Sequence, residues 1–228
     1  MFISVVIPTY NRRPILEKCL LALEGQVLCS SIEDFEVVVV DDGSTDGTPL
    51  WLENQSHRFP HVRLIEQDHG GPAKGRNRGV QHSRGDVIVF IDSDLVINRS
   101  FLASHLKALS SAWVNQGNRF CFTYGVVINT ANFEDPTAEP YKLRDISWAY
   151  FATGNVAIDR QVLEMSGLFD TSFHLYGWED LELGERLRKM GVKLVPCSKA
   201  VGYHWHPALK LDQIPDLIRV ERERAKMG

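Results

Sequence analysis

The 228-residue chain lacks any apolar run near the ~20 residues that span a bilayer, so no membrane-crossing helix is expected. Its start, Met1-Phe2-Ile3-Ser4-Val5-Val6-Ile7-Pro8, has neither the basic flank nor the cleavage site of a secretory signal. It reads as a first strand, and the expected location is the cytoplasm. Cysteine is sparse: Cys19, Cys29, Cys121 and Cys197 lie far apart with no Cys-x-x-Cys spacing. That pattern suggests neither a zinc site nor a disulfide framework, and suits reduced thiols. Excess positive charge is missing as well. The formal net charge is −4, so no global field draws nucleic acid. Two nucleotide fingerprints are absent. No Gly-x-Gly-x-x-Gly follows the first strand, and Gly70-Gly71-Pro72-Ala73-Lys74-Gly75-Arg76-Asn77 has Arg-Asn where a P-loop needs Lys followed by Ser or Thr. Repeats, low-complexity tracts and linkers are not found, which predicts one domain over residues 1–228.

What is present is an ordinary globular composition, 44% apolar and 24% charged, enough to bury a core. Apolar runs at 3–7, 35–40, 62–66 and 86–91 predict strands. Helices are predicted at 14–25, with Pro at its start and Gly past its end, and at 46–56 and 72–83. Strands apolar on both faces and separated by helices imply an α/β fold with a mostly parallel sheet covered on both sides. The second half predicts a helix over 100–116, a strand over 120–128, a loop over 130–147 and a strand over 155–158. A helix over 179–190, a short strand over 193–195 and a charged helix over 211–226 complete it.

In parallel sheets ligands bind at the carboxyl ends of strands. Three polar clusters fall there: Thr9-Tyr10-Asn11-Arg12, Asp41-Asp42-Gly43-Ser44 and Asp92-Ser93-Asp94. Carboxylates at the mouth of a buried strand are costly unless paired. A hard divalent cation, Mg²⁺ or Mn²⁺, carrying a phosphorylated ligand is a natural partner for Asp92 and Asp94. Asp-x-Asp also occurs in turns and caps, so its neighbours decide its meaning. Asp42 suits a base or ribose donor, whereas Asp46 suits an N-cap. The Gly-, Lys- and Arg-rich stretch 70–77 reads equally as a diphosphate contact or a basic helix start.

Ser4-Val5-Val6-Ile7-Pro8-Thr9-Tyr10-Asn11-Arg12, Asp41-Asp42-Gly43-Ser44-Thr45-Asp46-Gly47-Thr48, Lys74-Gly75-Arg76-Asn77-Arg78-Gly79 and Phe90-Ile91-Asp92-Ser93-Asp94 follow one another in this order. Together they resemble the family 2 glycosyltransferases of GT-A fold. That likeness implies a Rossmann-like nucleotide-binding half over 1–97 and a smaller acceptor and catalytic half over 98–228. It implies a nucleotide-sugar pocket, usually for a UDP sugar, lined by Pro8, Thr9, Tyr10, Arg12, Asp42 and Arg76. Ser93 belongs to the same motif. Asp94 would bind the metal, and Asp92 would contact ribose or metal-bound water.

Tyr176-Gly177-Trp178-Glu179-Asp180-Leu181 places an acidic pair at a helix N-terminus, where the dipole favours ionised carboxylates. The pair could simply cap the helix. The segment resembles the Glu-Asp motif of inverting members, particularly chondroitin and hyaluronan polymerases and galactosyltransferases. In that reading Asp180 is the general base, Glu179 holds the acceptor or donor sugar, and Trp178 stacks on a sugar ring. Phe151-Ala152-Thr153-Gly154-Asn155-Val156-Ala157 resembles the segment under the donor sugar, with Asn155 offering hydrogen bonds. By the same likeness a histidine in Tyr203-His204-Trp205-His206 completes the metal site. Only one of His204 and His206 is expected to serve, His204 by preference. A His ligand favours Mn²⁺. Histidines 57, 61, 69, 82, 105 and 174 receive no role.

The expected reaction is a metal-dependent inverting transfer of a hexose or N-acetylhexosamine to a glycan or lipid-linked acceptor. The rivals are a retaining enzyme like the polypeptide galactosaminyltransferases, which tend to carry Asn at the place of Asp180, and a catalytically silent sugar-binding module. Acceptor contacts at this chain length would come from the 130–147 loop, the C-terminal helix or a second subunit of a homo-oligomer. Arg219, Arg222, Arg224 and Lys226 would draw that helix to anionic lipid on the inner face of a membrane, a pull weakened by Glu221 and Glu223.

Overall fold

Runs of β-branched residues build the middle of the sheet, because such side chains pack well on a pleated surface. The computed structural model describes residues 1–226 apart from 141, 145, 146, 148, 209 and 210. β1 (Phe2–Thr9) lies between β2 (Asp34–Asp41) and β4 (Val87–Ile91), with β3 (Val62–Glu66) outside β2. These ladders are all parallel, and the register sets Ile3 against both Phe35 and Val87. Parallel strands need crossover helices. α1 (Arg13–Glu24), α2 (Thr48–Asn54) and α3 (Pro72–His82) supply them.

Alternate residues of each strand feed opposite core layers. Ile3, Val5, Ile7 and Val89 pack with Leu16, Leu20 and Leu23 of α1 and with Leu102, Leu106 and Leu109 of α4 (Phe101–Gln116). Val6, Ile88 and Phe90 pack on the other face with Ala73 and Val80 of α3 and Leu183 and Leu187 of α6 (Trp178–Lys189). Fully burying each such Leu contributes roughly 1.5–3 kcal/mol. Gly79 lets α3 settle close to the sheet, because a Cβ there would overlap Val6 Cγ1.

The sheet continues through the second half in the order β3-β2-β1-β4-β7-β6-β8-β5. β7 (Asn155–Asp159) runs antiparallel to β4 and to β6 (Cys121–Thr130). β8 (Lys193–Trp205) is parallel to β6, and β5 (Leu95–Ile97) is antiparallel to β8. The sheet is therefore parallel in the first half and mixed in the second.

Several elements differ from the sequence reading. The short strand expected at 193–195 is a thirteen-residue strand, interrupted in its pairing with β6 by a bulge between Tyr124 and Val126. Leu95–Ile97 forms a strand and Arg160–Met165 a helix, α5, where neither was expected. α5 starts at Asp159, whose carboxylate accepts from the N–H groups of Gln161 and Val162. The 130–147 loop contains one short 3₁₀ turn, Pro136–Ala138, and an isolated bridge from Arg144 to Ile128. Its residues 141, 145 and 146 lie outside the described residues. The last helix, α7, covers Ile214–Arg224. Among the described residues no helix is long and apolar enough to cross a membrane.

Candidate active site

The carboxyl ends of β1, β2 and β4 open into a cavity of about 770 Å³. Pro8, Thr9, Tyr10, Arg12, Asp42, Arg76, Asp92, Ser93, Asp94 and His204 all line it. Two acidic clusters meet the cavity, one through Asp94 and the other through Asp92 and Arg76, and they have different partners.

The first cluster is built by the β5–β8 ladder. Leu95 pairs with His204, so Asp94, one residue earlier, faces the end of β8. Trp205 N donates to Asp94 O at 2.9 Å. Asp94 Oδ1 lies 3.0 Å from His204 Nε2, and Oδ2 lies 3.3 Å from an Arg12 guanidinium nitrogen. Burial opposes ionisation of Asp94, but the His204 hydrogen bond and the charges of His204 and Arg12 prevail and hold its carboxyl below the usual range. His206 joins from outside the strand: its Nε2 is 3.1 Å from His204 Nδ1. Residues two apart along an extended segment share a face, and both rings line the cavity; β8 ends at Trp205, and His206 N donates to Thr130 O. One ligand atom from each of Asp94, His204 and His206 lies within 4.8 Å of the others. One carboxylate and two imidazoles suit a borderline divalent cation such as Mn²⁺. Below this cluster the buried Cys19 thiol donates to Ser93 O at 3.2 Å, bracing the turn.

Asp92, expected beside the metal, stands outside that group of ligand atoms. Its Oδ1 accepts from Arg76 Nη2 at 3.1 Å, because the buried guanidinium requires carboxylate partners. Arg76 is 1% exposed and centres the second cluster. Its Nη1 donates to Glu179 Oε1 at 2.9 Å and lies 3.8 Å from Asp180 Oδ1. The sequence had placed Arg76 against the nucleoside; the structure turns both of its terminal nitrogens to carboxylates and leaves Nε without a hydrogen-bond partner. Glu179 is completely buried, and its Oε2 accepts from Gly177 N at 2.5 Å. Asp180 accepts from Thr153 N and Thr153 Oγ1, both at 2.9 Å. Burial raises the Asp180 carboxyl; Arg76 opposes this and Glu179 adds to it, and the result is about 7. Neither Glu179 nor Asp180 is among the cavity-lining residues, but Arg76 touches both and is.

The third wall is Asp42 and its loop. Asp42 Oδ1 accepts from Gln67 Nε2 at 2.6 Å and Gly70 N at 2.9 Å, and Oδ2 accepts from Gly71 N at 2.9 Å. His69 Nδ1 lies 2.9 Å from the same carboxylate, and its ring packs on Tyr10 with centroids 4.4 Å apart. Thr9 Oγ1 is buried with no hydrogen-bond partner. His69 and His174 line the cavity although sequence reasoning gave them no role. A clue for His69 was its place just before Gly70-Gly71.

Two expected site residues are engaged elsewhere. The Asn155 side chain is fully used in the core: Oδ1 accepts from His105 Nε2 at 2.9 Å, while Nδ2 donates to Val126 O and Ala200 O, each at 3.1 Å. Burial pushes the His105 imidazole down to about 4, so the ring is neutral in this network. Trp178 Nε1 donates to Arg224 O at 2.8 Å, which ties the indole edge to α7.

A family model described as "Glycosyl transferase family 2" matches residues 4–166. The chain belongs to glycosyltransferase family 2. An uncharacterized glycosyltransferase of Bacillus subtilis, YfnE, is 28% identical over 258 residues, covering 90% of this chain and 65% of the relative. The chondroitin synthase of Pasteurella multocida is 24% identical, covering 90% of this chain and 25% of the relative. The chain thus spans less than two thirds of the length of these family 2 relatives. S. aureus TarS 1-349 in complex with UDP-GlcNAc superposes with a TM-score of 0.65 at 19% identity, over 100% of this chain and 66% of that one. GalNAc-T7 with UDP, GalNAc and Mn²⁺ gives 0.70 at 17% identity, over 97% of this chain and 48% of that one. The fold is the GT-A arrangement that the four ordered motifs implied.

Proposed function

We propose that this chain is the catalytic domain of a metal-dependent, inverting glycosyltransferase that uses a nucleotide-sugar donor. The observation that carries the reading is the convergence of Asp94, His204 and His206 on one side of the cavity floor. The continuous eight-stranded sheet supports treating the chain as one domain. Asp94, His204 and His206 would hold Mn²⁺, which would supply electrostatic stabilisation of the departing diphosphate. The nucleoside belongs with Pro8, Thr9, Tyr10, Arg12 and Asp42. UDP is favoured because two solved neighbours bind UDP-GlcNAc or UDP.

Asp180 is the base. It takes the proton from an acceptor hydroxyl as that oxygen bonds to the anomeric carbon. The bond from that carbon to the diphosphate oxygen breaks, and its electron pair leaves with the nucleoside diphosphate. A carboxyl near 7 suits this task, because it is ionised enough to act and basic enough to accept. An α-linked donor then yields a β-linked product. Hexose or N-acetylhexosamine is the sugar and a glycan or lipid-linked hydroxyl the acceptor, on the likeness to named relatives. Peripheral lipid contact through α7 belongs to the same proposal. It is limited by pairing of Arg219 with Asp216, Arg224 with Glu221 and Lys226 with Glu223.

The test is a thermal-shift series with UDP-glucose, UDP-GlcNAc and GDP-mannose, each with Mn²⁺ and with excess chelator. A donor-specific rise in Tm that needs Mn²⁺ and vanishes in Asp94→Asn supports the reading. Equal shifts in chelator refute it. An α-configured product from an α-linked donor would replace inversion with retention.

A further inference from the structure

Helix α7 has no buried residue, yet Val220 forms part of the cavity wall. A helix without buried apolar side chains belongs at the low end of local stability, so a few specific contacts must fix it. Those contacts converge on Arg224. Its carbonyl accepts from Trp178 Nε1 at 2.8 Å. Its guanidinium carbon lies 5.5 Å from the Tyr176 ring centroid, within cation–π range. The same guanidinium fills the space over Gly177, where a Cβ would overlap Nη2. Gly177 has φ +115°, a conformation that favours glycine, so this corner is shaped to admit the arginine. Glu221, one turn earlier on α7, orients the fork by accepting from Nη1 at 2.5 Å.

The corner that Arg224 grips leads to both clusters of the site. Tyr176 lines the cavity. Gly177 N donates to Glu179 Oε2, and Glu179 Oε1 holds Arg76. On the reading of the cavity as a nucleotide-sugar site, we propose that Arg224 is a positioning residue for donor binding. It pins the Tyr176–Trp178 corner to α7, so that Tyr176 and Val220 together close one wall over the nucleotide. A wall closed only part of the time lowers apparent affinity by the closed fraction, and loss of the pin appears chiefly in the dissociation rate.

Stopped-flow displacement of UDP and of GDP, each with Mn²⁺, from the full chain tests this. Arg224→Ala is expected to speed dissociation about tenfold, a change typical of losing a specific contact. Arg224→Lys, which keeps the cation but not the fork, falls between. Trp178→Phe, which removes the Nε1 donor together with the second ring, also speeds release. Arg219→Ala, paired with Asp216 elsewhere on α7, leaves the rate unchanged. The Tm without nucleotide stays constant across the set. Arg224→Ala dissociating at the wild-type rate, or losing affinity only in step with a falling unliganded Tm, overturns the proposal. A wild-type chain that binds neither nucleotide with Mn²⁺ overturns the donor reading and this proposal together. Wild-type binding with a silent Arg224→Ala overturns this proposal alone.

Discussion

Thr153→Val gives the sharpest test of Asp180 as a base. The valine keeps the shape of a threonine that is 1% exposed, and it removes one hydroxyl. That hydroxyl donates to the Asp180 carboxylate at 2.9 Å, while the Thr153 N–H donation at 2.9 Å survives. A hydrogen bond to a charged group contributes about 1.5–3 kcal/mol. At about 1.4 kcal/mol per pKa unit, its loss raises the Asp180 carboxyl by roughly one to two units. The ionised form of Asp180 predominates above about 7 in the intact site. The acidic limb of kcat against pH should therefore start near 7 and move to roughly 8–9 in the variant. Near neutral pH the rate falls about tenfold, and in alkaline buffer it recovers toward the wild-type plateau. The assay is release of nucleoside diphosphate under saturating donor across pH. A variant whose rate is lowered equally at every pH, or whose limb does not move, refutes the assignment. Stability has a defined sign as well. Folding favours protonated Asp180, so this contribution is complete below the ordinary carboxylate range and is lost as pH rises through about 7. Thr153→Val deepens that loss.

Arg76→Met tests the buried guanidinium: removing the cation strands Glu179, Asp92 and Asp180, and denaturant titration should show a loss of about 3–5 kcal/mol. The deficit shrinks in mild acid as the carboxylates take up protons; a deficit independent of pH would contradict the pairing. Asn155→Leu separates a core role from a ligand role, since it leaves the Val126 and Ala200 carbonyls without the Nδ2 donor and the His105 Nε2–H without its acceptor. Three orphaned groups at about 1–3 kcal/mol each should lower Tm by roughly 10–25 °C. Calorimetry on the folded variant should find UDP affinity with Mn²⁺ unchanged; a large loss of affinity at constant Tm would return Asn155 to the sugar site.

The first half of the chain was legible because local pattern and tertiary role agree there. Val37-Val38-Val39-Val40 and Val87-Ile88-Val89-Phe90-Ile91 are buried on both faces, so apolar content alone identifies them as central parallel strands. The turns that end them carry polar residues with no place in a core. The second half was less legible for physical reasons. β8 exposes Ser198 and Lys199 in succession between buried Cys197 and Ala200 and shifts register at the bulge, so its apolar signal is broken. β5 has only three residues and exists through its pairing with Tyr203 and its neighbours, more than a hundred positions away. Side-chain destinations were hardest to read. Asn155 meets His105, Val126 and Ala200, and Trp178 meets Arg224, through partners that local sequence does not name.

The second cluster explains why Asp180 retains its proton up to about 7. One guanidinium faces three carboxylates, so the group bears excess negative charge when all are ionised. Interacting acids of this kind titrate as a set, and the proton settles on the member whose anion is least stabilised. Glu179 is held by Arg76 Nη1 at 2.9 Å and by the Gly177 N–H at 2.5 Å, and Asp92 is held by Nη2 at 3.1 Å. Asp180 stands 3.8 Å from the guanidinium and relies on Thr153. The cation thus serves the two acids that shape the site, and its weaker hold on the third keeps that carboxyl basic. Opposite environments for adjacent carboxyls are what an acid–base assignment requires. Here they arise from which two acids Arg76 grips directly.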